Sequence, residues 1–216
     1  MADRYIPALG HAWLTGLYDP VLRATMREAT FKSRLIAQAE LRPGHRVLDI
    51  GCGTATLTIE IKRSQPEAEV VGLDGDPDVL RRAAAKVAAA GLTIALDHGF
   101  SDRLPYADAS FDRVLTSLLL HHLTAETKRR TLAEIYRVLR PGGQVHIADW
   151  GKAQDAVMRG AFFLIQLLDG FATTSDNVKG KIPQFLRDAG LADVREAGRL
   201  RTIFGTLSLY RGERPR

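Results

Sequence analysis

The sequence predicts an α/β fold built on an open, mostly parallel sheet, and three observations carry that reading. "RVLDI" (Arg46 to Ile50) is a short apolar run of the kind that forms a strand covered on both faces. It runs directly into Gly51-Cys52-Gly53, where residues without a Cβ let the backbone turn sharply and let a ligand approach the main chain. Strand-like and helix-like segments then alternate through the middle of the chain, which is the pattern of successive βα units.

The elements follow in order. After the glycine turn a helix is expected from about Thr54 to Ser64. Within it, "TLTIEI" alternates polar and apolar residues with a period of two and by pattern alone would be a strand. The preceding glycine turn, the threonine expected as N-cap and the need for a helix to cross back between parallel strands favour the helix. "AEVVGLD" (Ala68 to Asp74) is a second strand. "DPDVLRRAAAKVAAAG" is a helix with Asp76 as N-cap, Pro77 in the first position and Gly91 at the end. "TIALDHG" and "FDRVLTSLLL" supply two more strands, and "TAETKRRTLAEIYRVLRPGG" a helix that Pro141-Gly142-Gly143 stops. "QVHIADW" is a fifth strand, "IPQFLRDAG" a helix, "ADVREAG" a strand and "TIFGTLSLYRG" a longer closing strand.

Composition narrows the class. With 216 residues, 45% of them hydrophobic, the chain is one domain with modest additions, large enough to bury a core. The mean hydropathy of −0.10 fits a globular protein. "AFFLIQLL" (Ala161 to Leu168) is interrupted by Gln166 and falls far short of the roughly 20 residues of a membrane span. "MADRYIPALGHAW" has no apolar core of the signal-peptide type, so a cytoplasmic location is expected, in keeping with a single cysteine, Cys52. The net charge of +5 reads mainly as solvated helix faces such as "KRR" (Lys128 to Arg130), with an anionic partner as the alternative. There is no zinc-ligand spacing and no aromatic-basic ribonucleoprotein signature, so neither a metal nor a nucleic-acid partner is expected.

The turn itself suits a nucleotide. A dinucleotide fingerprint wants a third glycine, whereas Gly51-Cys52-Gly53-Thr54-Ala55-Thr56 places threonine there. Asp74, ending the second strand, suits a pair of ribose hydroxyls. Asp49 stands two residues before the first glycine, "GFSDRLPYADASFDRVLTS" follows the third strand, and "RVLRPGGQVHIAD" leads into the fifth.

In this order and spacing these strings resemble the class I S-adenosylmethionine-dependent methyltransferases. Within them the chain is similar to the small enzymes related to ubiquinone and menaquinone C-methyltransferases, over about Tyr18 to Tyr210. The resemblance implies a Rossmann-like, seven-stranded, mostly parallel sheet with an antiparallel last strand and helices on both faces. It also implies an N-terminal helical lid (residues 1–40) ahead of the methyltransferase domain (41–216), which carries a helical, acceptor-lining insertion at about 152–175. The implied cofactor is S-adenosyl-L-methionine, leaving S-adenosyl-L-homocysteine as product, and the implied partner is a small-molecule acceptor. Oligomeric state stays open, with a homodimer among the choices.

Residue by residue, the resemblance places Asp49, Gly51, Cys52 and Gly53 at the methionine end of the cofactor. Asp74 matches the acid of the ribose, with Gly75 and Asp76 beside the adenosine. Ser117 lies where the backbone passes the amino-acid part, and Tyr18-Asp19 matches an N-terminal pair that closes over the site. There are two departures. Ala55 stands where the family commonly has glycine, and Gly99-Phe100-Ser101 replaces a string that usually carries an aspartate beside the adenine. Ser101 or Asp102 is a candidate replacement for that bond, or Phe100 stacks on the ring.

Methyl transfer is an in-line displacement in which the protein aligns the nucleophile, excludes water and, for some acceptors, removes a proton. His121 and His122 follow the fourth strand, where the acceptor is expected, and either is a candidate base, His121 first. Asp149 is a weaker candidate, set against a surface or capping role, and Cys52 has no nucleophilic role in such a turn. Phe162, Phe163, Leu167, Leu168 and Phe171 are candidate walls of an apolar acceptor pocket, set against plain packing on the sheet. His11, Trp13 and Tyr18 are candidates for a lid. The alternative to an enzyme is a cofactor-binding scaffold without turnover.

Overall fold

A computed structural model describes residues 27–216, apart from the side chains of Leu164, Leu168 and Asp169. Tyr18, Asp19, His11, Trp13 and most of the expected lid lie outside the described residues. The chain begins with α1 (Glu28–Ala39) and then alternates β1 (Arg46–Ile50), α2 (Thr56–Ser64), β2 (Glu69–Asp74), α3 (Pro77–Ala89), β3 (Ala95–His98) and β4 (Phe111–Ser117). A 3-10 turn (Leu120–His122), α4 (Ala125–Val138) and β5 (Leu139–Trp150) follow, then α5 (Ala156–Asp169), α6 (Phe171–Val178), α7 (Ile182–Asp188), β6 (Ala192–Thr202) and β7 (Gly205–Glu213).

One seven-stranded sheet has the order β3-β2-β1-β4-β5-β7-β6. The first five strands pair in parallel, and β7 runs antiparallel to both of its neighbours, β5 and β6. Both faces of the sheet are covered. Val47 and Leu48, adjacent in β1, belong to opposite apolar clusters, because successive strand side chains point to opposite faces. Leu48 packs with Leu132, Ile135 and Phe185 of α4 and α7, and Val47 packs with Phe31, Leu35, Leu57 and Phe162 of α1, α2 and α5.

"TLTIEI" is helical, and its misleading alternation has a packing cause. Leu57 and Ile61, four apart, join the cluster on the sheet, whereas Ile59 turns the other way onto Ala83 and Val87 of α3. A helix buried on two sides loses the polar stripe that makes the 3.6-residue period legible. The helix starts two residues later than expected because Ala55 sits left-handed at φ 60° before it. Asp76 caps α3 as expected, accepting from the Asp78 and Val79 N–H groups.

Two expectations are corrected. Pro141-Gly142-Gly143 does not merely stop α4, since Leu139 is already extended and the string lies inside β5. There Gly142 takes φ +79° and bonds through its N–H to the Arg214 carbonyl, while Gly143 accepts from Arg214 N–H. "TIFGTLSLYRG" is not one strand but a hairpin that turns at Ile203-Phe204. Thr202 Oγ1 closes it by donating to the Gly205 carbonyl (2.9 Å) and accepting from Phe204 N–H (3.2 Å).

The close approach at Gly143 yields a stability test. A Cβ there would lie 2.8 Å from the Arg140 carbonyl oxygen and 3.2 Å from Asp112 O, both main-chain atoms that cannot rotate away. Gly143→Ala is expected to lower unfolding free energy by about 1–3 kcal/mol, the usual penalty of overpacking, as read from urea midpoints at constant slope.

Candidate functional site

The strand order reverses at β1, whose neighbours are β2 on one side and β4 on the other. Crevices form beyond the carboxyl ends of strands at such a reversal. The predicted site residues on β1, β2, β4 and β5 all fall at or next to this edge.

At the end of β1, Gly51 and Cys52 donate their N–H groups to the Leu73 carbonyl (2.8 and 3.0 Å), which pulls the turn against β2. Gly51 has φ +69° and Gly53 φ +55°, and the two glycines face different surroundings. A Cβ on Gly51 would meet Leu119 Cδ1 at 3.1 Å, so the missing side chain there makes room for the protein's own leucine. A Cβ on Gly53 would meet nothing within 4 Å, and Gly53 is the position that opens on free space. Cys52 is buried with its sulfur against Gly72, and burial pushes its thiol far up, which leaves it protonated and inert.

Asp49 is almost fully buried. Its Oδ2 accepts from Thr58 Oγ1 at 2.7 Å, and its Oδ1 is enclosed without a hydrogen-bond partner. Burial pushes its carboxyl up to about 7, against the pull of the Thr58 hydroxyl and of the Lys32 ammonium. Lys32 is itself buried beside Glu28, with which it forms an ion pair one helical turn away. Neither Thr58 nor the Lys32–Glu28 pair was singled out from sequence, since nothing local marks a charged helix residue as facing inward.

Asp74 ends β2 with Oδ2 accepting from Gly53 N–H (2.8 Å) and Oδ1 from Asp76 N–H (3.0 Å). Burial still raises its carboxyl despite these two donors. The carboxylate of Asp76 is committed to capping α3. Phe100 lies across Gly75, where a Cβ would come within 3.1 Å of the ring, and His98 Nε2–H donates to the Gly75 carbonyl (3.1 Å). Of the two polar candidates for the place next to adenine, Ser101 is turned to Thr131 Oγ1 (2.9 Å) and Asp102 is paired with Arg130 (3.1 Å). Phe100 is the one left facing the turn.

Beyond β4, Ser117 pairs with Ala148 of β5, and Leu118 takes φ +56° to lead the chain into the 3-10 turn. That turn buries His121, whose Nδ1 lies 2.8 Å from Asp149 Oδ1. Asp149, which sequence allowed as a surface or capping residue, is wholly buried. It accepts from Leu120 N–H (2.7 Å), Trp150 N–H (2.7 Å) and Asn177 Nδ2 (3.1 Å). Although burial acts to raise it, His121, the Trp150 N–H and Lys128 together hold the Asp149 carboxyl below the ordinary range. His122 packs on His121 with ring centroids 4.0 Å apart, and burial holds its imidazole down at about 3, which leaves it uncharged and a poor base.

Lys128 corrects the reading of "KRR" as a solvated face: its side chain is completely buried, with Nζ donating to the Thr173 carbonyl at 2.5 Å. The segment after β5 is helical, and its aromatic residues divide. Phe162 is in the core against Trp150 (5.0 Å between centroids), whereas Phe163, Leu167 and Phe171 are exposed. Among the described residues no group of three or more His, Cys, Asp or Glu side chains is arranged to hold a metal, and no helix is long and apolar enough to cross a membrane.

Residues 47–143 match the family described as a methyltransferase domain. The chain is 39% identical over 114 residues to the demethylmenaquinone methyltransferase of Deinococcus radiodurans, covering 53% of this chain and 46% of that protein. To the protein of the same name from Symbiobacterium thermophilum it is 33% identical over 144 residues, covering 63% and 57%. The chain thus spans about half the length of these curated relatives. Among solved structures, the YcgJ protein of Bacillus subtilis superposes with a TM-score of 0.69 at 18% identity over 86% of this chain and 98% of that one, a likeness of fold. The S-adenosylmethionine-dependent methyltransferase SibL, in its apo form, superposes with a TM-score of 0.67 at 26% identity over 86% and 55%.

Proposed function

From the premise that residues 47–143 form a methyltransferase domain, we propose that this protein transfers a methyl group from S-adenosylmethionine to a small, hydrophobic or aromatic acceptor. The observation that carries the cofactor is the Asp49 carboxylate. Its partnerless, enclosed Oδ1 lies beside a glycine turn that opens on free space at Gly53. A buried acceptor atom of this kind calls for a donor, and a cationic amino group supplies both the donor and the charge.

The residues present fit the cofactor along its length. Asp49 would hold the amino group of the methionine part, and Gly51 to Gly53 would pass its main chain. Asp74 would take the ribose hydroxyls with the acceptor capacity left beyond its two N–H bonds, and Phe100 would pack on adenine in place of the missing aspartate. When bound, the sulfonium supplies an already activated methyl group. The protein's share is therefore alignment and the exclusion of water, with His121 as the base where the acceptor must lose a proton. The Asp149 carboxylate can only accept, so His121 would give it Nδ1–H, and in the neutral ring Nε2 would be the atom that takes the acceptor's proton. Phe163, Leu167 and Phe171 offer an apolar wall for the acceptor. The names of the Deinococcus and Symbiobacterium relatives, demethylmenaquinone methyltransferase, support an aromatic acceptor of this kind.

Calorimetric titration with S-adenosylhomocysteine tests the binding site. Asp74→Ala is expected to weaken binding by about 1.5–3 kcal/mol, roughly ten- to 150-fold, as for loss of charge-assisted bonds. Unchanged affinity removes Asp74 from the ribose.

Affinity should also depend on pH through Asp49. Its carboxyl stands near 7 in the free protein, and a bound ammonium favours the ionised form, so the bound value is lower. Between the two values, each unit of acidification is expected to cost up to about tenfold in affinity, with a proton released on binding in that interval. Titrations in buffers of different ionisation enthalpy measure that proton directly.

Turnover separates an enzyme from a scaffold that only binds. His121→Asn is expected to keep S-adenosylhomocysteine affinity and to cut turnover by about 10²–10⁴, the usual worth of a positioned base. Full activity would point to alignment alone.

A further inference from the structure

A cavity of about 290 Å³ lies at the amino ends of β4 and β5, at the opposite edge of the sheet from the glycine turn. At about 3.3 Å per strand residue, the length of β4 separates the two places by on the order of 20 Å. Part of the wall is the main chain of Pro141-Gly142-Gly143, where a Cβ on Gly142 would meet Arg216 Nε at 3.4 Å. Arg113, only 7% exposed, stands in the inner wall. Its Nε donates to the Ala39 carbonyl at the end of α1 (2.7 Å) and its Nη1 to the Asp112 carbonyl (2.8 Å). Carbonyls hold the guanidinium in place, and a helix end lends it partial negative charge, but they do not neutralise it. The acids of the wall are engaged elsewhere or lie at its outer side. Asp112 is taken by Arg140 (2.7 Å) and the Arg46 N–H (2.8 Å), Glu213 by the Gln144 amide (3.0 Å), and Glu40 is exposed. Among the described residues neither Arg113 nor Arg42 has a carboxylate within ion-pair distance, and the Nη2 end of Arg113 has no hydrogen-bond partner. The imidazole of His45, in the same wall, is lowered by burial first and then by the charges of Arg113, Arg42 and Arg140.

We propose that this cavity is a second ligand site, which binds a phosphate group, free or as the monoester of a small molecule, on Arg113 and Arg42. Arg113 is already fixed by two bonds, so little side-chain freedom is lost when an oxyanion meets the rest of its planar fork. A phosphate carries close to two negative charges at neutral pH and three acceptor oxygens that point in different directions. It can therefore take Arg113 from the inner wall and Arg42 from the rim at once. A carboxylate brings one charge and two oxygens in a plane, the match of a single guanidinium. Glu40 and Glu213 oppose any anion here, so the ligand must engage both arginines to outweigh them. The volume stands at the lower end of the roughly 300–1,000 Å³ of small-molecule pockets, which suits a small phosphorylated compound and not a nucleic-acid strand. The site is separate from the methyl-transfer edge, and the proposal does not depend on that reaction.

The test is a titration of the full-length protein with inorganic phosphate at constant ionic strength, followed through its assigned amide NMR signals. The signals of Arg42, His45, Gly142 and Gly143 are expected to shift together and to saturate below about 10 mM phosphate, while those of Gly51 and Gly53 stay in place. This reading needs no variant. Shifts that grow without saturating, or that saturate at Gly51 and Gly53 instead, overturn the proposal. Arg42 is exposed, and its side chain has no hydrogen bond or ion pair to lose, so Arg42→Ala is not expected to disturb the fold. That variant is expected to bind phosphate at least about tenfold more weakly, the loss of one charge-assisted bond, with affinity for S-adenosylhomocysteine unchanged. Equal phosphate affinity in variant and parent overturns the proposal, as does acetate binding as tightly as phosphate. Glycerol phosphate separates the two sources: binding tighter than inorganic phosphate identifies a monoester, weaker binding identifies the free ion, and either supports the site. A short single-stranded oligonucleotide that moves these signals where inorganic phosphate does not overturns the small-molecule site in favour of a nucleic-acid contact.

Discussion

The reversal of strand order at β1 is the constraint on which the rest depends. The chain leaves this strand to build β2 and β3 on one side, then crosses to β4 and β5 on the other. Two connections departing in opposite directions leave the carboxyl ends of β1 and β4 uncovered. The same reversal puts Asp49 between β2 and β4 in the middle of the sheet, where it is almost fully buried. Glycine at 51 is a condition for this packing, because Leu119, arriving from β4, fills the space its side chain would take.

Three acids at this edge show how donor count sets charge in a buried place. Asp149 is as deeply buried as Asp49, yet its carboxyl is held low, because His121 above all, then the Trp150 N–H and the Lys128 charge, favour its ionised form. Asp74 has two main-chain donors, and burial prevails over them. Asp49 has the Thr58 hydroxyl and a more distant Lys32, and rises to about 7. Identical side chains thus stand ready for different tasks: one committed to holding a histidine, one partly occupied, and one short of a partner.

The region after β5 joins two physical jobs in one segment. Its inner side is structural, with Phe162 against Trp150 and against the Gly205 turn of the β6–β7 hairpin. Its outer side leaves Phe163 and Phe171 in an edge-on contact at 5.7 Å, both exposed. Buried polar bonds from Asn177 and Lys128 anchor α6 to the sheet edge, so the apolar outer surface is carried on a fixed support.

Much of the fold was legible because its signals are local. An apolar run before glycines, Asp76-Pro77 at a helix start and the alternation of βα units each act over a few residues, and they name the elements without reference to the rest of the chain. The acids and glycines of the turn were legible for the same reason, since their spacing along the chain matches their spacing at the end of one strand. What sequence alone could not decide is where side chains point once distant segments meet. Lys128 looked like one more charge on a helix surface, and only the docking of α6 over α4 and the sheet edge makes it a buried cation. Thr58 became the partner of Asp49 because α2 packs on two sides, which also disguised that helix as a strand. The hairpin at Ile203-Phe204 depends on Thr202 closing a turn against Gly205 and on Phe162 seated beneath it, contacts between residues up to 43 positions apart in the chain that no short window contains. Local patterning determined the elements and the type of site; burial, which is a property of the assembled sheet, decided the charges within it.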